Sequence, residues 1–548
     1  MSDQPAEFKW TNWSDNFPFT HIFRTFKMAI HPGKLGLALV GILLTVLSGY
    51  ILDGIWSTGH KSLSGEVHAF WQMPNIDQWR EQKQQTQLQK LQTIYSTVIK
   101  DKIPGKLKDR FNENPNKEVN RALEKLKDKY QSAIIDADDQ QTAEIARRYN
   151  ATYAELKSLK PVGIFKSFVS YQQTVCHQLL DAARSLNFTG QLDDVLRGRH
   201  RITAQPGTRN LTGIGVVPCL MLMARGEQWM MMEHPLYFLL FAVVTLVIWS
   251  LIGGAICRIA ALHFTRDERI SCKEALGFAS RRFVGFFTAP LIPIGLIIFI
   301  GLVLTFGGLV SAIPYFGEIL AGVAMGLALI GGFLMTLVII GLLAGGSLLW
   351  PTIAVEGSDS FDAMSRSCSY IYSKPWRSGF YALVAMVYGS ICYMFVRFFT
   401  FIMLKGTRFF VDIGMGATDR PGTGIAGATK LDTLWPQPTF GNFRPPTASL
   451  GMEGWDPAGC FLIGIWLLIV VGLMVAFLIS FYFSGSTIIY FLLRREVDAT
   501  DIEDVYLEEE EEAEMGEETA AGEVTAAESP ETEPEDTEET ASADDEEE

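Results

Sequence analysis

The sequence is short of the residues that do chemistry, and it places none of them in a working set. Cysteine and histidine number only seven and eight in 548 residues. No Cys-x-x-Cys occurs and no Cys/His group has zinc-like spacing, which excludes a zinc ribbon and a thioredoxin-type redox pair. His-Glu-x-x-His, Gly-x-Ser-x-Gly and the dinucleotide fingerprint are all missing, so the common enzyme classes that need them are excluded. The stretch "GMGATDRPGTGIAGATK" (414–430) lacks the Gly-four-residues-Gly-Lys-Ser/Thr order and follows no strand, so it reads as a loop and not as a phosphate cradle. His177 beside Cys176 reads as a helical polar residue and not as a dyad member. No catalytic, metal or cofactor set is expected.

Basic residues are missing from one end. Residues 501–548 contain 24 Asp and Glu and no Lys or Arg. Taking those 24 from the 61 acidic residues leaves 37 against 46 basic ones, so the formal charge of −15 becomes about +9 for the body. The tail from about Glu496 is low in complexity and buries too little apolar surface to offset chain entropy, so disorder is expected over 496–548. A cleavable leader is not expected either. The first apolar run starts near Leu35, after charged and aromatic sequence, and no small-residue cleavage site follows it.

What the chain has in plenty is apolar length. A membrane-spanning helix needs roughly 20 apolar residues, at ~1.5 Å of rise each across a ~30 Å core. Six stretches qualify: 35–56, 236–262, 283–311, 317–349, 379–404 and 459–493. An all-α, polytopic membrane bundle is the expected fold. The fourth and sixth stretches exceed the need, with Gly331–Gly332 as the expected kink of the fourth. Pro290 and Pro293 are positioned to break the third.

Basic residues beside the spans set direction. Arg24, Lys27, Lys34, Arg258, Arg266, Arg269, Lys273, Arg281, Arg282, Arg366, Lys374, Arg377, Arg494 and Arg495 all fall on one side of a six-span topology. The connection "SAIPYFGE" on the other side has none. Both termini are therefore expected in the cytoplasm, with 57–235 and 405–458 outside, the latter as a Gly/Pro-rich loop.

The outer segment reads as helices from Ile76 to about Leu186. Leu88, Leu91, Ile94 and Val98 form one stripe. Val119, Leu123, Leu126, Tyr130 and Ile134 form the next, then Ile145, Tyr149, Tyr153 and Leu156, then Phe165, Phe168, Gln172, Val175 and Leu179. Pro104, Asn114–Pro115 and Pro161 interrupt them. The result is a small bundle or long hairpin, either a packed cap over the spans or a partner-binding module. Cys176, Cys219 and Cys460 lie outside the lipid. They are read as isolated buried thiols, with one disulfide among them left open.

Three short amphipathic segments precede spans. In "RDERISCKEALGFASRR", Ser271 and Glu274 form a capping box, and Ile270, Leu276, Ala279 and Phe283 share a face. In "SDSFDAMSRSCSYIYSKPWRSG", Asp359 and Asp362 repeat the spacing, and Phe361, Met364, Cys368 and Ile371 form the stripe. Phe19, Ile22, Phe23, Phe26 and Ile30 give a looser third copy near the N-terminus. These predict interface helices near 271–282 and 359–373 and an amphipathic segment within 1–34. Pro32-x-Lys34-x-Gly36 matches Pro375-x-Arg377-x-Gly379. Three units follow, each a surface helix, a span out, a connection and a span back.

Inside the spans, carboxylates and histidines are nearly absent, which argues against an ion or proton relay. Asp53 and Glu318 sit at outer ends, and Arg258 is near enough to an end to snorkel. Arg397 is deepest and is the candidate intramembrane functional residue, against a structural pair or outward snorkelling. Gly322-x3-Gly326 and Gly341-x3-Gly345 permit close helix packing.

Residues 258–404, with "SCKEALGFASRRF", "WPTIAVEGSDSFDAMSRS" and "KPWRSGF", and the "AIHPGKLGLAL" entry, resemble uncharacterised bacterial multi-pass families related to the membrane domain of glycerophosphodiester phosphodiesterases. The catalytic domain of those enzymes is absent, so the resemblance implies no enzyme. A scaffold or interaction protein of the inner membrane is the expectation, with a permease-like transport component as the alternative. The expected partners are the lipid bilayer and proteins reached through 76–186 or the acidic tail, and not nucleic acid.

Overall fold

The computed structural model describes residues 17–56, 61–72, 75–101, 105–135, 139–197, 213–311, 313, 316–416, 430–441, 443 and 455–506. Within these the chain is helical, without strands. The phosphate-loop-like stretch beyond Gly416, residues 312, 314 and 315 of "SAIPYFGE" and the tail after Tyr506 lie outside the described residues.

A 3₁₀ turn (Pro18–Arg24) and α1 (Thr25–Ala29) lead into α2 (Pro32–Ile55). The insert follows as α3 (Glu66–Gln72), α4 (Ile76–Ile94), a π turn (Tyr95–Ile99), α5 (Leu107–Glu113), α6 (Pro115–Ile135), α7 (Asp139–Ser158), α8 (Ile164–Arg184), α9 (Leu192–Leu196) and α10 (Val216–Glu233). Then come α11 (Pro235–Thr265), α12 (Cys272–Arg281), α13 (Phe283–Thr288), α14 (Leu291–Ser311), α15 (Phe316–Gly345), α16 (Leu349–Glu356), α17 (Ser360–Ser373), α18 (Pro375–Gly416), α19 (Lys430–Leu434) and α20 (Asp456–Val497). Among the described residues six helical stretches are long and apolar enough to cross a membrane, the pattern of a multi-pass membrane protein.

Two of these helices also core a second layer. Residues 252–264 of α11 and 483–493 of α20 are buried without a break. The 3₁₀ turn, α1, α12, α13, α16 and α17 wrap around them as a cap. The three amphipathic segments belong to this cap, and their buried faces press on protein. On α12 the face is Ala275, Phe278 and Ala279. On α17 it is Ala363, Ser367, Tyr370 and Ile371, one residue round from the expected stripe, and Phe361 is exposed. Near the N-terminus it is His21, Ile22, Thr25, Met28 and Ala29, leaving Phe23 and Ile30 exposed.

The Ser271–Glu274 capping box forms, with Glu274 N to Ser271 Oγ at 3.2 Å and Ser271 N to Glu274 Oε2 at 3.1 Å. Asp359 caps α17 by accepting from Asp362 N at 3.0 Å, but Asp362 turns to Arg366 at 2.9 Å and closes no box. Glu356 joins Arg366 (2.9 Å) and Arg494 (3.2 Å), tying α16, α17 and α20 together.

The fourth span is continuous helix through Gly331–Gly332 and gives way at Gly346–Leu348 to a 3₁₀ turn that enters the cap. Three sequence expectations change. The third span starts only at Leu291, because the chain breaks at Ala289–Pro290 and leaves Phe283–Thr288 as a separate helix. Residues 405–416 continue α18 as helix and are not loop. Val505 is buried against the cap and Tyr506 N donates to Val355 O at 2.9 Å, so the packed chain runs past Glu496.

The glycine pairs differ. A Cβ on Gly341 or Gly345 would meet Cys368 Sγ at 3.0 Å or Ser367 O at 3.3 Å, because α17 comes close there. Gly322 and Gly326 meet nothing within 4 Å, because the α14–α15 hairpin packs mainly on itself and on α17. Only 6% of each of these two spans' apolar window is buried, against 17–33% in the other four.

Gly253→Leu would drive its side chain into Trp350, whose ring lies 2.6 Å from the ideal Cβ. Overpacking of that kind costs about 1–3 kcal/mol. The thermal midpoint in detergent should fall for Gly253→Leu and stay level or rise slightly for Gly322→Leu.

Candidate functional site

Helix α8 begins without a side-chain cap of its own. The first amides of a helix need acceptors, and here Asp53 supplies them from the end of α2. Its carboxylate accepts from Phe165 N at 3.0 Å and Lys166 N at 3.2 Å. Tyr237 Oη of α11 donates to the same carboxylate at 3.0 Å and to Gly49 O at 3.1 Å. A Cβ on Gly163 would lie 2.0 Å from Asp53 Oδ2, so only glycine fits beside the carboxylate. Asp53 thus fastens the insert to two spans.

Arg397 makes the second fastening. It is 4% exposed, and its Nε and Nη2 donate to Phe440 O at 3.1 and 3.0 Å. Its Nη1 reaches Tyr393 Oη at 3.3 Å, and the guanidinium lies 5.6 and 5.3 Å from the rings of Phe440 and Phe443. Arg184, at the end of α8, stacks on the same Phe440 ring at 4.7 Å. Arg408 pairs with Asp432, and Leu404, Leu431, Trp435 and Leu467 pack below. Residues 430–441 and Phe443 are therefore pinned between the spans and the insert. Across α18 and α20, Gly389 meets Phe481 and Leu404 meets Leu467, which places Arg397 between those two levels. A guanidinium at such depth is expensive in lipid. Carbonyl, hydroxyl and ring partners shield it, and it does not snorkel.

Two further cations were underrated by the sequence. Arg258 turns inward, 5% exposed, and donates to Ala354 O at 2.9 Å and Tyr506 O at 2.8 Å over the Phe278 ring. Lys34 is 0% exposed and donates to Ser484 Oγ at 3.1 Å. The repeated Pro-x-basic-x-Gly motif held a signal for Lys34, though its mate Arg377 is exposed and pairs with Glu496 at 2.7 Å. Ser271, Glu274, Asp359 and Asp362 sit at the ends of cap helices and gather no chemistry around them.

All seven cysteines are free; Cys219 and Cys460 are buried, whereas Cys176 is exposed. Burial raises the thiol of Cys219 to about 11, with Cys176 as a lesser cause. Among the described residues no three His, Cys, Asp or Glu side chains are placed to hold a metal ion. No family model, curated protein or solved structure matches the chain.

Arg397→Met would leave the Phe440 carbonyl without its donors at a cost of about 1–3 kcal/mol. Amide hydrogen exchange should quicken across 430–441 and stay unchanged in α1.

Proposed function

We propose that this chain is an integral membrane scaffold or interaction protein of the bacterial inner membrane. In this reading both termini lie in the cytoplasm and the insert faces outward. The observation that carries it is the double fastening of the insert, at Asp53 on one side and at Arg397 through Phe440 on the other. A helical module held so firmly to a bundle suits presentation to a partner. Its distal half adds support, because it has its own core of Leu91, Phe111, Val119 and Leu126.

The proposal gives the chain no catalytic activity. Partner proteins would engage 76–186 or the acidic tail, and the lipid bilayer surrounds the spans. Kinship with the membrane domain of glycerophosphodiester phosphodiesterases belongs to the same proposal and rests on 258–404. The alternative, a permease-like transport component, requires Arg397 to release Phe440 during a cycle.

Pull-down from detergent with intact and 76–186-deleted chains tests the scaffold reading. Partner recovery should be lost with the deletion. Recovery of an ATPase through the cap, undisturbed by the deletion, would favour transport.

A further inference from the structure

Helix α8 is held against the spans at both ends. At its start the Phe165 ring packs on Gly49 of α2, beside the Asp53 fastening. At its end Arg184 stacks on the Phe440 ring, and Arg397 holds the carbonyl of that residue. The two ends differ in depth. Arg397 stands between the levels at which α18 meets Phe481 and Leu467 of α20, and Gly472, between those two, meets Leu39 of α2. Gly49 and Asp53 lie ten and fourteen residues beyond Leu39 along α2, about 15–21 Å of helical rise. Helix α8 therefore slants back into the depth range of the spans. At that depth α18 turns Phe398, Phe399 and Ile402 outward, so the surrounding medium is lipid.

The chain at this inner end is apolar and exposed. Leu186 is 74% and Phe188 59% exposed. Helix α10 runs antiparallel to α8, with Tyr171 Oη donating to Leu222 O at 2.9 Å. Where α10 starts, Val216 N and Val217 N donate to Asn187 O and Phe188 O at 2.9 and 3.0 Å. That pairing brings Val217 and, one turn on, Leu220 beside the loop, and both are exposed. Leu186 takes a positive φ of 51°, a costly conformation for leucine. Asn187 fixes it, accepting from Gly190 N at 2.9 Å and donating to Gly213 O at 3.1 Å. Turning leucine and phenylalanine outward gains nothing in water, whereas in a lipid boundary it removes both from water. Their neighbours Arg184, Ser185, Thr189 and Gln191 are exposed and polar, as suits an element lying at headgroup level.

We propose that the joint between α8 and α10 is a lipid-docking surface. Leu186, Phe188, Val217 and Leu220 enter the acyl boundary of the leaflet on the insert's side, ~5–10 Å deep, and lay the base of the insert on the membrane. This docking goes beyond the scaffold reading and needs neither a partner protein nor a particular orientation of the chain.

The test is photolysis of the full chain in phosphatidylethanolamine–phosphatidylglycerol vesicles with a lipid-soluble phenyl diazirine, the sites of carbene insertion being read by peptide mass spectrometry. Residues 185–189 and 216–221 should take label within twofold of 398–402, and at least fivefold above 107–135 in the distal half. A water-soluble diazirine should give the reverse order. Label at 398–402 with none at 185–189 and 216–221 overturns the docking. Attack there by the water-soluble reagent would return the patch to solvent, and attack by neither reagent would cover it with protein, a second copy included. No lipid-phase label at 398–402 would remove the depth on which the docking stands and overturn it as well. A pull-down that keeps its partner without 76–186 overturns the scaffold reading alone and leaves the labelling result standing.

Discussion

The constraint on which the rest of the structure depends is the thickness of the hydrocarbon layer, ~30 Å, or about 20 helical residues. Helices α11 and α20 are 31 and 42 residues long. Neither can be lipid-clad along its whole length without leaving the layer. Their surplus at one end is the unbroken buried stretches 252–264 and 483–493, and the cap exists to cover them. The short amphipathic helices thus serve protein packing first. Their apolar residues cover α11 and α20, and their basic residues stay on the rim.

The same constraint explains the treatment of charge. Lipid offers no hydrogen bonds, so each polar group at depth must find its partner in the chain. Lys34, Arg258 and Arg397 all do so through serine, carbonyl, tyrosine and aromatic partners. Arg397 uses this need to hold residues 430–441, and Asp53 uses it to hold α8. The polar residues near the spans are thereby joints between modules. The α14–α15 hairpin is tied to the cap through Tyr372 Oη, which donates to Leu337 O, and otherwise packs mainly on itself.

The span count and the helical insert were legible because apolar length and a spacing of three and four residues are local properties. Leu88, Leu91, Ile94, Val119, Leu126 and Leu156 line the distal core as their spacing implies. The Ser271–Glu274 box was legible for the same reason. The face of α17 was not, since it depends on where α11, α16 and α20 stand, and Ser367 and Tyr370 are polar enough to be missed. The role of Arg397 was hidden because its partner, Phe440, is 43 residues away and contributes a carbonyl, which no side-chain pattern reveals. Gly322-x3-Gly326 and Gly341-x3-Gly345 look alike in sequence, and only the position of α17 separates them.

The central claim is that six crossings put the cap, with both packed ends of the chain, on one side of the membrane and the insert on the other. It is tested most directly on a cysteine-free chain carrying Lys27→Cys, Glu503→Cys or Gln89→Cys, one at a time. Each is challenged in sealed vesicles of one orientation with a membrane-impermeant maleimide. The account predicts the same labelling for positions 27 and 503 and the opposite for 89. Positions 27 and 503 on different sides, or 89 on the side they share, would contradict it.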